Sequence, residues 1–550
     1  MNGLDILEWM DRKRAADTDE AKIRRQRRAA RLYAAAVAFA ALIIGLIYTE
    51  KSRTIYFWDN ATYWDMSRAI LSGSLKGSFW SSVYSSIGSS DYNYIAALPS
   101  AAWMRIFGTT IISFVAGLIV MYLVPSLMLI YRLAEKLSKA PKTAFTVAVC
   151  LIPAMLYITV TGFVDIGGLI MMLGCYNLYF TDPERENDIA RYIGIGALFV
   201  LMMIFRRYYS FFAVSFMTAM AIDCIVFRKK WINLIITGCA AAAILVGLFM
   251  PFVTGILLKN YSEMYSDYKF PIIVDIRFIT RYFGLAFIAF AAAVPVVSAL
   301  SRKDNRPVFV WVQMLVCAVM FIATQTHGTQ HLLLYVPAFA LLAIFLVNCI
   351  SNHIMLVIVA ALALCNAFSP YVKRHQPSNI QEIEHVSLFP SFSMHPPKNE
   401  NAYDVVKVKR KLDEYVPEGA VCSVMASSFT INDSALRNGE ASLNLRQTRD
   451  GSYIVALPDV DSRDSGRLDE IYNAEYILVA FPAQTHLAPG SQTIITEGVR
   501  SFENYADIAT SFEEIEGFDE WVGDIELKLY HRTEEINAIW KNEFQKRLFK

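Results

Sequence analysis

Ten side chains able to do chemistry sit at the ends of long apolar runs. Asp59, Asp65 and Asp91 share one polar stretch, and Asp165 lies in a short turn. Arg206, Arg207 and Tyr208 are adjacent, and His327, Gln330 and His331 share a late loop. Charged groups beside lipid are costly and persist mainly where they pair or do work. A carboxylate can take a proton from a hydroxyl. Adjacent arginines can hold an oxyanion such as a phosphate. With an apolar groove for a prenyl chain beside them, such groups form an apparatus for moving a sugar from a lipid phosphate to an acceptor hydroxyl.

Each candidate has a plainer alternative. Asp59 lies in Ile55-Tyr-Phe-Trp-Asp-Asn-Ala-Thr-Tyr-Trp-Asp65, an aromatic setting that favours a perturbed carboxylate. Asp59 or Asn60 is also well placed to cap a helix over Ala61–Leu71. Asp65 is spaced to pair with Arg68. Asp91 suits acceptor positioning or loop solvation. Asp165 is either a working acid or an N-cap. Arg206 and Arg207 read as a phosphate clamp or as headgroup-directed snorkels. His327 and His331 fit a site or interfacial hydrogen bonding. Tyr261, Tyr265 and Tyr268 form an aromatic belt or a loop gating the donor.

Apolar helices must position these groups. The chain has 550 residues, of which 55% are hydrophobic and 18% charged, and the apolar residues fall in long runs. That composition predicts a polytopic membrane protein. The net charge of +1 gives no reason to expect a nucleic-acid partner. About eleven spans are expected: Leu32–Tyr48, Thr110–Tyr131, Ala144–Thr161, Ile166–Phe180, Tyr192–Phe205, Phe211–Phe227, Leu234–Leu258, Phe278–Ala299, Val308–Ala323, Leu332–Asn348 and Ile354–Phe368. Basic clusters at Arg24–Arg31, Arg132–Lys142, Arg228–Lys230 and Arg302–Arg306 fall on one side of this count, which makes that side cytoplasmic. Arg206 and Arg207 are the exceptions.

Three parts are therefore expected: a cytoplasmic tail over 1–31, a transmembrane bundle over 32–370 with an outer loop over 50–109, and a soluble α/β domain over 371–550 outside the cytoplasm. Strand-like runs begin at Gly419 and Ala474, and Glu526–Tyr530 alternates. Asp404–Glu414 and Gly466–Tyr472 look helical. The eight cysteines suit neither a disulfide framework nor a zinc site. No phosphate-binding glycine loop or hydrolase elbow is present.

Taken in order, these features resemble the membrane-embedded glycosyltransferases of the C-type fold that use polyprenyl-phosphate sugars. The pattern is nearest the protein O-mannosyltransferases and the lipid A aminoarabinose transferases. The residues that carry it are Trp58-Asp59-Asn60 with Tyr63-Trp64-Asp65-Met66-Ser67-Arg68, then Asp91-Tyr92-Asn93-Tyr94, Pro99 and Ile106-Phe107-Gly108. Asp165 opening a helix, Arg206-Arg207-Tyr208 closing one, and His331 to Pro337 complete it. Two positions depart from the pattern: Asn60 stands where a second acid is common, and Asn93 where the aminoarabinose enzymes have a lysine. Arg206, Arg207 or Lys76 would then contact the phosphate.

The resemblance implies an inverting transfer at the outer face of an inner membrane. Asp59, Asp165 and Asp91 would be catalytic. Arg206, Arg207, Tyr208, Tyr63, Asp65, Arg68, His327 and His331 would bind substrate. A polyprenyl-phosphate-linked sugar would be the donor, a glycan, lipid or protein the acceptor, and membrane lipids the surroundings. No cofactor or metal is expected, although acidic loops could hold a divalent ion. A lipid or polysaccharide transporter or flippase is the alternative, and a sensor working through its tail is another.

Overall fold

The computed structural model describes residues 28–73, 78–89, 91–180, 188–301, 304–374 and 380–548. Lys76, Arg302, Lys303 and the arginines before Arg28 lie outside them.

Every expected apolar segment falls on helix. Among the described residues, six helices are long and apolar enough to cross a membrane, or up to eight if each of two bent pairs is one span. Three shorter apolar helices accompany them: Ile166–Tyr179, Ile189–Phe205 and Val336–Asn348. The chain is a multi-pass membrane protein.

Two of the expected spans, Ala144–Thr161 and Phe278–Ala299, fall on bent helix pairs. Pro141–Leu151 and Ala154–Val160 meet at 57°, with Pro153 at the break, where a proline cannot donate to the helix ladder. Ile272–Phe283 and Leu285–Leu300 meet at 92°. There Gly284 takes φ +78°, a conformation that suits glycine. The amides of Leu285 and Ala286, freed by the break, donate to Ser387 O and Leu388 O.

The expected outer helix spans Asp59–Ser72. One face buries Tyr63 and Trp64 against the helical bundle, and Trp64 Nε1 donates to Thr109 O at 2.9 Å. The other face meets the C-terminal part. Arg68 pairs with Asp65 at 2.6 Å, as their spacing predicts, and also donates to Asn438 Oδ1 at 2.8 Å.

The C-terminal residues build a five-stranded sheet. Its strands are β1 (Cys422–Met425), β2 (Ile454–Ala456), β3 (Tyr476–Phe481), β4 (Phe512–Val522) and β5 (Ile525–Arg532), in the order β2-β1-β3-β5-β4. β1 pairs in parallel with β2 and β3, while β5 pairs antiparallel with β3 and β4. Separate apolar clusters cover the two faces. The cluster around Val405, Leu412 and Leu478 also receives Ile55, from the stretch just before Asp59. The loop carrying the first acid is thus anchored in the core of the sheet domain.

Candidate active site

Asp59 occupies the first turn of its helix, but its carboxylate caps nothing. The residue before it, Trp58, supplies the N-cap position without a side-chain hydrogen bond. The Asp59 oxygens turn elsewhere. One accepts from the Tyr92 hydroxyl, and the other accepts from Gln330 Nε2 at 2.8 Å. Arg206 Nη2 stands 3.7 Å from the latter oxygen.

Trp58 makes this placement possible at a local cost. Its backbone takes φ 47° and ψ −131°, a region that favours glycine. Its N–H donates to Ser434 Oγ at 3.0 Å, and its ring contacts Phe57, Phe429 and His486. Packing on both sides holds the strained turn that aims Asp59.

Asp165 also caps nothing with its side chain. It accepts from Arg206 Nε at 2.8 Å and from the Tyr208 hydroxyl at 2.8 Å. The Tyr209 hydroxyl donates to its backbone carbonyl at 2.5 Å. Burial pushes the Asp165 carboxyl up from its ordinary range, and the Arg206 charge opposes that shift. The Arg206 guanidinium lies 4.7 Å from the centre of the Tyr92 ring, and its Nη1 donates to the Tyr63 hydroxyl at 3.2 Å. Cation–π attraction in this dry setting adds to the ion pair.

Asp91 and Arg207 form a second pair at 3.1 Å. The Arg207 guanidinium lies 3.5 Å from the Tyr261 ring centre and 5.0 Å from that of Tyr265. The Tyr261 hydroxyl donates to Asp91 at 2.8 Å. The tyrosine-rich loop therefore closes over the second arginine.

The histidines are tied by hydrogen bonds. His327 donates through its backbone N–H and Nδ1 to Asp275, while Nε2 meets the Tyr335 hydroxyl. His331 Nδ1 accepts from the Gly328 N–H at 2.9 Å. Burial pushes His331 well below its ordinary value, with His327 and the arginines adding to the shift, so it stays neutral.

These groups border a cavity of about 1100 Å³ between the helical bundle and the sheet domain. Asp59, Asp91, Arg206, Arg207, Tyr208, His327 and His331 line it. Asp165 and Tyr63 stand behind Arg206 and do not line it. Asp65 and Arg68 face Asn438 instead, apart from the cavity.

No protein-family model matches the sequence, and no curated protein matches it. Solved structures do. ArnT from Cupriavidus metallidurans bound to undecaprenyl phosphate superposes with a TM-score of 0.54 at 11% identity, over 90% of this chain and 97% of that one. The apo state of the same protein gives 0.55 at 10% identity over the same shares. The fold is the C-type glycosyltransferase fold.

Within this C-type fold, one site group escapes the sequence reading: Tyr92 counts there only as part of a motif, yet it bonds Asp59. Gln330 is among the candidates, but its bond to Asp59 is not readable from the sequence. Gln330 stands 271 positions from Asp59, a separation that no local spacing reveals. Asn93, one of the two departures from the pattern, has a structural task. Its amide donates to Ile204 O at 2.6 Å, two residues before Arg206, and its carbonyl oxygen caps Ile95. It fastens the acidic loop to the helix that carries the arginines.

Proposed function

We propose that the chain is a membrane glycosyltransferase that moves a sugar from a polyprenyl phosphate to an acceptor hydroxyl with inversion. One observation carries the reading. An accessible carboxylate, Asp59, is aimed into the cavity by two hydrogen-bond donors and stands beside an arginine that a buried acid holds in place. The fold supports it, since a protein of the same fold, ArnT, was crystallised with undecaprenyl phosphate.

In this reading Asp59 takes the acceptor hydroxyl proton as the oxygen attacks the anomeric carbon. The bond from that carbon to the phosphate oxygen breaks, and the electron pair leaves with the phosphate. Arg206 and Arg207 stabilise the charge that develops there. Asp165 is a positioning residue for Arg206, and Asp91 for Arg207. The arginines fill the cation's role, so chelation of divalent ions should leave transfer intact. The basic clusters support a cytoplasmic side opposite the cavity, which puts the sheet domain outside the cytoplasm of an inner membrane.

The test is genetic and chemical. Deletion should remove one sugar from a cellular glycan, lipid or protein, as read by mass spectrometry. Wild-type protein should restore it, and Asp59→Asn, expressed to the same level, should not. Restoration near the wild-type level would remove Asp59 from the mechanism.

A further inference from the structure

The cavity has a second wall with its own chemistry. β1 lies at the centre of the parallel strands; the chain leaves β1 for β2 on one side and leaves β3 for β4 and β5 on the other. In such sheets, ligands bind outside the carboxyl ends where the connections diverge. The loops leaving those three ends carry Ser427 and Phe429, Asp459, and His486.

They are fastened to one another. Ser427 Oγ donates to Asp459 Oδ2 at 2.5 Å, the Ser427 N–H donates to Gln484 O at 2.9 Å, and His486 Nδ1 donates to Ser427 O at 2.9 Å. Phe429, Asp459, Arg463 and His486 all line the cavity that holds Asp59. The Trp58 ring completes the crevice, 4.5 Å from the His486 ring and 5.5 Å from that of Phe429. Trp58 is the residue next to Asp59, so the crevice abuts the proposed base.

The ligand class follows from the lining. Arg463 is paired with both Asp459 and Asp464, and Arg437 is paired with Asp433, so carboxylates and aromatic rings share this wall. Aromatic faces take the apolar face of a pyranose ring, while carboxylate oxygens accept from its hydroxyls.

We propose that the crevice at the carboxyl ends of β1, β2 and β3 is a saccharide subsite that presents an acceptor sugar to Asp59. Its role as acceptor site rests on the transferase reading, and its ability to bind a sugar does not. The acceptor is then a carbohydrate, free or lipid-borne, and not a protein hydroxyl.

Saturation-transfer NMR on the full-length protein in nanodiscs tests this. The probes are methyl glycosides of glucose, mannose, galactose, glucosamine and N-acetylglucosamine, with matching octyl glycosides and a serine/threonine peptide. At least one methyl glycoside should bind wild type and Asp59→Asn alike, and about tenfold more weakly to Phe429→Ala and Asp459→Asn. Phe429→Tyr should keep the binding, which separates lost contact from lost fold. Crevice-dependent gain with the octyl form marks a glycolipid acceptor, and equal binding marks a free glycan. Binding of no glycoside, binding untouched by the crevice variants, or peptide binding alone would overturn the proposal. If glycosides bind here while Asp59→Asn still transfers sugar, the mechanism fails and the subsite stands.

Discussion

The Asp165 carboxylate grips the Arg206 guanidinium at 2.8 Å, with side chains only 2% and 8% exposed. Arg206 then reaches toward Asp59, whose side chain is 29% exposed. The buried acid fixes the cation, and the accessible acid uses it. Removing one partner of a buried pair strands the other, at about 3–5 kcal/mol. Asp165→Ala should therefore lose stability of that order, and Asp165→Ala/Arg206→Met should lose less than the single variant. Thermal unfolding of the purified variants checks this, and a double variant no more stable than the single would deny the coupling.

Trp58 reverses a usual expectation. Glycine is ordinarily costlier than alanine in an ordered chain, yet at φ 47° a non-glycine residue bears a strain of about 1–3 kcal/mol. Both small variants lose the ring that packs on His486 and Phe429. Trp58→Gly should nonetheless be the more stable of the two, by about 1 kcal/mol, because only it relaxes the turn. Paired melting curves of Trp58→Gly and Trp58→Ala decide it.

Gly168 makes a related case by contact. Gly→Ala within a helix usually gains about 1 kcal/mol. Here the added Cβ would lie 2.2 Å from the Tyr209 ring, whose hydroxyl holds the Asp165 carbonyl. The ring must move, and with it the turn bearing Asp165. Gly168→Ala should lower transfer about 10- to 100-fold, with helix content by circular dichroism unchanged. Wild-type activity would show that the turn is indifferent to Tyr209.

How much of this was legible depended on range. The helices announce themselves through continuous hydropathy, and the spacing of Asp65 and Arg68 gave their pair directly. Asp59, Asp165 and Arg206 could be nominated because charge at helix ends near lipid is costly. What decides their roles is non-local. Tyr92 and Gln330 are ordinary residues until the fold brings them onto Asp59, and Asp65 turns out to face Asn438. The bend at Gly284 falls unseen inside the single span expected over Phe278–Ala299, since hydropathy carries no direction. β2 has three residues and β4 alternates imperfectly around Gly517, so neither offered a readable period. The crevice at the ends of β1, β2 and β3 depends on strand order, which no single strand encodes.

Arg207 should not tolerate lysine. Its planar group lies against Tyr261 and bonds Asp91, and an ammonium cannot reproduce that stacking. The lost cation–π contact is worth about 0.5–2 kcal/mol, or roughly 2- to 30-fold in kcat/KM. Tyr261→Phe removes only the hydroxyl bond to Asp91 and keeps the ring, so its effect should be the smaller. Steady-state kinetics with varied donor would rank the two, and the opposite ranking would assign the loop's value to the hydroxyl.

The sheet domain should carry a titration in the mildly acidic range. Burial pushes the Asp459 carboxyl up to about 6, against the pull of Arg463. Burial also acts to raise Asp464, but the Arg463 hydrogen bond and charge outweigh it and hold Asp464 below the usual range. The facing groups are Ser427, Arg463, Asp464 and the Tyr268 hydroxyl, with His486 kept down by burial. The signs of the two acids are opposite. Native Asp459 keeps a proton that the unfolded chain has released, so its contribution to stability is lost as pH rises from about 4 to about 6 and is constant above that. Asp464 contributes above the ordinary carboxylate range, and its share is lost on acidification below it. Asp459→Asn removes the first contribution and keeps a side-chain donor beside Asp464, whose hold by Arg463 is the larger one. The wild-type melting temperature should therefore fall relative to that of Asp459→Asn between pH 4 and 6, by an amount equivalent to no more than about 3 kcal/mol. Parallel profiles for the two proteins would place the Asp459 proton elsewhere.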